Sequence, residues 1–398
     1  MANTLSIIGL VSSLFANINI PSTSFAPPVH RSSTKVRVYA GLSGTVGTST
    51  SGNIPGVALW DSAGAFIGKA MGIYNYVIED GSFYDLTVKG KKASAEYLSV
   101  AAFGKDGLCI AAVAVTSPTG YQAGWLGDVG MKCGAPWYPS DLVIEGSGPQ
   151  ARPACVWIDQ DGSNNHPHTG MTMHLPSFTG AGEGLAQEYN DNIDTLCKSL
   201  PRFSMWTTRS VHMTLPVYYK DQLRYNDDGS DKDLDKILNP KMMQSQTTAP
   251  NDPTGTKLGV ADGPSALLGG PIVELGPSKR RRARRSPLQP LHDHLVVSNV
   301  TSHSAREVCE SRTSAGPDFV GVVEGLFCDM AEKILWPLCD AGIYTDCFDL
   351  ESKILRSSRQ RGAIAAGTDT PDQASRIELK ARSLEGEVKM YQHVQVWS

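Results

Sequence analysis

Three histidines crowd one stretch of the chain, His166, His168 and His174, with Asp159 and Asp161 just upstream. Imidazole nitrogens and carboxylate oxygens are the donors of a zinc-type site. In an extended segment residues 168, 170, 172 and 174 share a face, so His168 and His174 can point the same way. Asp159, Asp161, His168 and His174 are therefore the candidate metal ligands. The competing reading is plainer: Asp159-Gln160-Asp161-Gly162-Ser163-Asn164-Asn165 has the composition of a long polar turn. A calcium loop would want a later glycine and a closing acid, and neither is present. No cofactor is expected.

A second set is aromatic. Trp125, Trp137, Tyr138 and Trp157 fall at strand ends or loops of a glycine-rich β block. Rings there either fill the core or stack on sugar C–H faces. Trp137-Tyr138, between Pro136 and Pro139, is the pair expected to be exposed and to bind ligand. Other catalytic signatures fail. There is no Gly-x-Ser-x-Gly elbow and no His-Glu-x-x-His. Gly64-Ala-Phe-Ile-Gly68-Lys69-Ala70 is too short for a phosphate loop and ends in alanine where Mg²⁺ needs a hydroxyl. Gly180-Ala-Gly182-Glu-Gly184 is followed by Leu185 where a dinucleotide fingerprint needs glycine. A carboxylate pair for glycoside hydrolysis stays open, because carboxylate separation is not readable from sequence.

The third set is redox-active. Cys109, Cys133, Cys155 and Cys197 lie in one half of the chain, and Cys309, Cys328, Cys339 and Cys347 near its end. Even numbers on both sides suggest disulfides and an oxidising compartment. Four cysteines allow three pairings in each half. The apolar run Leu5–Phe15 has the length of a signal-peptide core and is too short to span a bilayer, giving a signal peptide over 1–26; a buried N-terminal strand or helix is the alternative. No later segment has eighteen consecutive apolar residues, so no membrane span is expected. Asn299-Val300-Thr301 is an N-glycosylation sequon. Arg282, Arg284 and Arg285 close the run Lys279–Arg285, which has the form of a convertase site in an accessible segment. A nuclear address and a solvated charge run compete with that reading.

These groups need elements to hold them. At 398 residues with 41% hydrophobic content the chain can bury proper cores, and only 19% of it is charged, against 39 glycines and 24 prolines. That balance fits turn-rich β structure. A net charge of −4 argues against a nucleic-acid or membrane-surface role for the whole molecule. Turn signals recur about every ten residues from Val36 onward, the spacing of a β-sandwich or jelly roll. Val57–Lys69 reads as a hairpin, Phe83–Val88 as a strand, and Glu96–Phe103 with Leu108–Val115 as a second hairpin. Pro118-Thr119-Gly120 turns the chain into Tyr121–Leu126. Leu185, Tyr189, Ile193, Leu196 and Leu200 fall at helical spacing and Pro201 ends the run. Met205–Tyr219 returns to strand alternation.

From Asn226 to Asp318 there is no aromatic residue, and polar residues dominate to Pro290, as in a disordered linker. Later, Asp329-x-x-x-Lys333-Ile334-Leu335 recurs as Asp349-x-x-x-Lys353-Ile354-Leu355. The echo suggests two similar hairpins stapled together; a capped helix starting at Asp329 is the alternative.

Several pieces carry a resemblance: Asn53-Ile-Pro-Gly-Val-Ala-Leu-Trp60-Asp61 with Ile67-Gly68-Lys69, Leu108-Cys109-Ile110, Trp125-Leu-Gly-Asp128 through Cys133-Gly134, and Cys155-Val-Trp-Ile-Asp159. Near the end stand Pro317-Asp318-Phe319-Val320, Glu324–Met330, Trp336-Pro-Leu-Cys339, Cys347-Phe-Asp349 and Tyr391-x-x-Val394-x-x-Trp397. Together these resemble predicted secreted proteins of filamentous fungi whose activity is unassigned. The resemblance implies secretion and disulfides and carries no chemistry.

The expectation is therefore a mainly β, secreted protein. It has a signal peptide over 1–26, an antiparallel sandwich- or jelly-roll-like domain with one helix over 36–225, and a disordered basic linker over 226–290. A cysteine-rich unit follows over 291–356, then a mostly disordered tail over 357–398. The leading functional reading is a non-enzymatic binding protein with a glycan or cell-surface partner. An extracellular polysaccharide hydrolase is the second reading. A precursor cut after Arg285 by a processing protease is the third.

Overall fold

The computed structural model describes residues 25–44, 50–144, 152–162, 166, 168–178, 184–207, 215, 217–245, 272–273, 293–340, 342–356 and 390–398. Most of the signal segment and all of the basic run Lys279–Arg285 lie outside them. The chain divides into two compact units. The first comprises Met1–Gly44, Ser49–Leu288 and Thr313–Ala315; the second comprises Thr45–Thr48, Gln289–Arg312 and Gly316–Ser398. No helix among the described residues is long and apolar enough to cross a membrane.

The first unit is mainly β. Its strands are β1 (Thr34–Ala40), β2 (Gly52–Ile54), β3 (Gly56–Trp60), β4 (Phe66–Ala70), β5 (Ile73–Ile78), β6 (Phe83–Gly90), β7 (Tyr97–Ala101), β8 (Leu108–Thr116), β9 (Gln122–Leu126), β10 (Trp137–Tyr138), β11 (Cys155–Ile158), β12 (Gly170–His174), β13 (Phe203–Trp206), β14 (Val217–Tyr219), β15 (Met243–Ser245) and β16 (Ile272–Val273). One sheet path runs β10-β11-β8-β1-β6-β4-β3-β7-β12-β13-β16, with β9 on β8. Its pairings are antiparallel apart from β13 with β16. β6 joins two halves: Phe83–Val88 pairs with β1, and Lys89 and Gly90 pair with β4. The halves pack on one another, as Trp125 of β9 stacks on Phe203 of β13 at 5.7 Å. All nine residues of β8 are buried, which is why it reads as an unbroken apolar run and not as an alternation.

The β3–β4 hairpin is present, its turn held by Asp61 Oδ1, which accepts the Ala63 and Ala65 N–H groups. The β8–β9 hairpin is present too, with Gly120 at φ +87° in its turn. The expected pairing of Glu96–Phe103 with Leu108–Val115 is not: β7 pairs with β3 and β12, whereas β8 pairs with β1, β9 and β11. Adjacent strands sent to different halves of the sheet leave their connecting loop free to shape a surface.

The single helix expected over Leu185–Leu200 is two. After α1 (Gly127–Lys132) come α2 (Gly184–Asp191) and α3 (Asp194–Cys197). Asn192 breaks the run: its Oδ1 accepts the Asp194 N–H at 3.2 Å and its carbonyl accepts from Thr195. The expected strand Met205–Tyr219 is likewise split, with β13 ending at Trp206 and β14 beginning at Val217.

The segment Asn226–Ser245, expected as the start of a linker, carries α4 (Leu234–Ile237) and β15, which pairs with β14. A buried ion pair and one apolar anchor, the fully buried Ile237, hold it. Asp231 is buried against the fully buried Arg202, which also donates to the Thr195 carbonyl and lies over the Tyr189 ring. The Asp231 N–H donates to Glu188. Burial pushes the Glu188 carboxyl up to about 7, helped by the Asp231 charge.

In the second unit β17 (His294–Ser298), β18 (Asp318–Gly321), β19 (Leu326–Asp329), β20 (Ile334–Pro337) and β23 (His393–Trp397) form a sheet in the order β20-β19-β18-β17-β23. β17 runs parallel to β18 and β23. Helix α5 (Ala305–Glu310) connects β17 to β18 and is capped by Ser304, whose Oγ accepts the Glu307 N–H. The tail, expected to be mostly disordered from 357, thus ends in an ordered strand with Trp397 buried beside His303 and Phe319. Residues 357–389 lie outside the described residues.

The twenty-residue echo is a structural repeat. β19–β20 pairs Asp329 with Ile334, Cys328 with Leu335 and Phe327 with Trp336. In the hairpin of β21 (Cys347–Asp349) and β22 (Ile354–Arg356), Asp349 pairs with Ile354, Phe348 with Leu355 and Cys347 with Arg356. Both turns use the same device. Asp329 Oδ1 accepts the Ala331 and Glu332 N–H groups, and Asp349 Oδ1 accepts those of Glu351 and Ser352. Lys333 and Lys353 both take the left-handed conformation, at φ +54° and +58°.

All eight cysteines are paired: Cys109–Cys155 and Cys133–Cys197 in the first unit, Cys309–Cys328 and Cys339–Cys347 in the second. Cys339–Cys347 links the end of one repeated hairpin to the start of the other. No disulfide joins the two cysteine groups.

Candidate functional site

In the first unit, three segments distant in sequence meet at an open groove of about 520 Å³. The first is the β2–β5 ribbon. Its register pairs Asn53 with Val77 and Ile54 with Ile73, so Tyr74-Asn75-Tyr76 bulges out of the pairing. The second is the β7–β8 loop, which brings Gly104, Lys105 and Asp106. The third follows β11 and brings Gln160 and Asp161.

Tyr74 is 55% exposed, yet its ring is braced by Phe103, with centroids 4.1 Å apart. Asn53 locks two of the segments together. Its Nδ2 donates to the Tyr74 carbonyl at 2.9 Å, and its Oδ1 accepts the Asp106 N–H at 3.0 Å. Gln160 locks the third by accepting the Gly104 N–H at 2.6 Å. Gly104 sits at φ +108°, and a Cβ there would fall 2.1 Å from Asn53 Oδ1, so a side chain at 104 would break the Asn53 lock. Burial raises the Asp106 carboxyl above the ordinary aspartate range. The groove therefore offers one aromatic face, side-chain amides, two carboxylates and one ammonium on a rim fixed by hydrogen bonds.

The candidate metal ligands do not gather. Among the described residues no group of three or more His, Cys, Asp or Glu side chains could hold a metal ion. β12 starts only at Gly170, so His168 lies outside the strand that holds His174. Asp161 lines the groove, whereas Asp159 is fully buried and does not. Asp159 Oδ1 accepts the Asp161 N–H, and its own N–H donates to the His168 carbonyl. Residues 163–165, the end of the stretch read as a polar turn, lie outside the described residues.

The histidines are packing groups. His166 lies flat on Trp157, with centroids 4.8 Å apart and an interplanar angle of 6°. Burial, with His168 nearby, pushes the His166 ring down to about 4, and burial alone does the same to His168. His174 is enclosed by Tyr97 and Tyr219, and its Nδ1 meets Ser177 Oγ at 2.8 Å. Glu96 lies 3.6 Å from its Nε2, but burial outweighs that carboxylate and lowers the ring's pKa. At neutral pH this is a contact with a neutral imidazole.

Trp137 and Tyr138 are 3% and 2% exposed and offer no face to a ligand, contrary to expectation. β10 pairs with β11 on one edge. On the other edge the Trp137 N–H donates to the Thr313 carbonyl, and its own carbonyl accepts the Ala315 N–H. Trp125 is fully buried, and Trp157 donates its Nε1–H to the Ala315 carbonyl. Asn299 is exposed in the turn after β17, its N–H bonded to the Trp397 carbonyl. Arg282, Arg284 and Arg285 lie outside the described residues.

Sequence reading passed over Tyr74, Asn53, Asp106 and Gln160. The available signal was Ile73-Tyr-Asn-Tyr-Val-Ile78, where tyrosines at alternate positions put two large rings on one side of a strand. Both rings are exposed, Tyr76 at 66%. No family model matches the chain, and no curated protein is similar to it.

Proposed function

We propose that this chain is an exported protein that binds a cell-surface component without transforming it, and that the Tyr74 groove is where it binds. The observation that carries the reading is a half-exposed tyrosine held rigidly against Phe103, on a rim tied across three segments by Asn53 and Gln160. Rigid aromatic faces beside fixed polar groups are what recognition sites use, because little freedom is lost on binding. Export is supported by four disulfides that leave no free cysteine. Asn299, exposed and in a sequon, is then a glycosylation site.

Hydrolysis is the second reading. Asp106 and Asp161 line the same groove, and burial raises the Asp106 carboxyl in the direction a general acid requires. Processing after Arg285 is the third. Because no disulfide joins the two cysteine groups, a cut there would leave two chains with no covalent link.

Intact mass of the protein collected from the medium, reduced and unreduced, tests export, clipping and glycan together. Export predicts a chain lacking its first residues and eight hydrogens lighter before reduction. Retention on cell-surface preparations, lost in Tyr74→Ala, tests binding; release of soluble sugar, lost in Asp106→Asn, would favour the hydrolase.

A further inference from the structure

We propose that the Tyr74 groove takes a neutral saccharide, with the tyrosine ring under a sugar face and Asp106, Asn75 and Gln160 reading the hydroxyls. The assignment rests on the binding reading above and gives that site its ligand class.

A sugar ring presents two chemistries at once, an apolar C–H face and a rim of hydroxyls that both donate and accept. A matching site needs an exposed aromatic face and planar polar groups at its edge. Tyr74 supplies the face, and Phe103 behind it keeps the ring from collapsing into the groove. Gln160 gives its Oε1 to the Gly104 N–H. That bond fixes the amide plane and leaves the Nε2 hydrogens as donors on the groove wall. Asp106 supplies a carboxyl acceptor whose backbone is pinned by Asn53. Asn75 is exposed on the bulge beside Tyr74 and adds a donor and an acceptor.

Charge narrows the class. Two carboxylates against Lys105 repel phosphate and sulfate, so nucleotides, nucleic acids and sulfated polymers are poor occupants. The volume of about 520 Å³ lies within the roughly 300–1,000 Å³ of small-ligand sites. An open groove of that size admits a short stretch of a longer chain.

The test uses the full, oxidised protein. Soluble neutral oligosaccharides are titrated into it by calorimetry. In parallel, surface preparations are offered untreated, after periodate (which cleaves vicinal diols) and after protease. At least one saccharide should bind, and Tyr74→Ala and Asp106→Asn should each weaken it about tenfold or more, with circular dichroism unchanged. Periodate should abolish retention and protease should not. Retention that survives periodate and is lost to protease overturns the saccharide and leaves the binding reading standing. No retention on any preparation overturns both. A saccharide that binds Tyr74→Ala as well as the parent protein overturns the placement in this groove.

Discussion

Trp137-Tyr138 and Tyr74 sit in the same unit, and the fold treats them in opposite ways. The first pair, flanked by prolines, lies in a strand only two residues long and is sealed on both edges, by β11 and by Thr313–Ala315. Tyr74 lies inside strand β5, second from its start, and is pushed outward because β5 bulges against β2. At these two sites aromatic exposure follows strand pairing and not local composition. One region spends its rings on cohesion, and the other keeps a ring available to a partner.

Substitutions should separate the two regions by kind as well as by size. Trp137→Ala should cost about 3–5 kcal/mol, as removal of a fully buried aromatic does, read as a lowered denaturation midpoint; the fraction still folded should bind as the parent does. Replacing Cys133 and Cys197 by alanine should cost about 2–4 kcal/mol. That bond closes a separation of 64 residues, against 8 for Cys339–Cys347, so the second pair should cost less. Equal losses would break the account of which unit depends on long-range closure.

Acid should act on the packed region. His166 and His168 titrate near 4 when folded and near 6.5 when free. The unfolded chain therefore binds more protons between those values, and stability falls as pH drops from about 6.5 toward 4. Chemical denaturation across that window should show the slope, and His166→Gln with His168→Gln should flatten it. Glu188 works in the other direction. Its folded value near 7 exceeds the ordinary 4.5, so its penalty is full above 7 and relieved as pH falls. Glu188→Gln should steepen the acid loss. Smallest of all, Tyr74→Ala should cost no more than about 1 kcal/mol, because the ring is half exposed and packs mainly on Phe103.

Features set by neighbours in sequence were legible. The Pro118-Thr119-Gly120 turn, the strand Leu108–Val115 and the Asp-x-x-x-Lys-Ile-Leu echo all came through, the last because an Asp side chain and a left-handed lysine four residues on close the turn locally. What depended on distant partners did not come through. β7 and β8 look like a hairpin, but each finds a better partner elsewhere in the sheet. The helix after Gly184 breaks because Asn192 closes a local turn onto Asp194 and Thr195, a choice that apolar spacing does not display. Asn226–Ser245 looks too polar to order, yet the buried Arg202–Asp231 pair fastens it. The groove was least legible, since Asn53, Asp106 and Gln160 come from three segments that only the sheet brings together.

The most direct measurement is binding of the oxidised protein to surface polysaccharide, made side by side for the parent, Tyr74→Ala and Trp137→Phe, each confirmed folded. The account predicts that Tyr74→Ala loses binding while Trp137→Phe keeps it. Binding that persists in Tyr74→Ala and disappears in folded Trp137→Phe would contradict it.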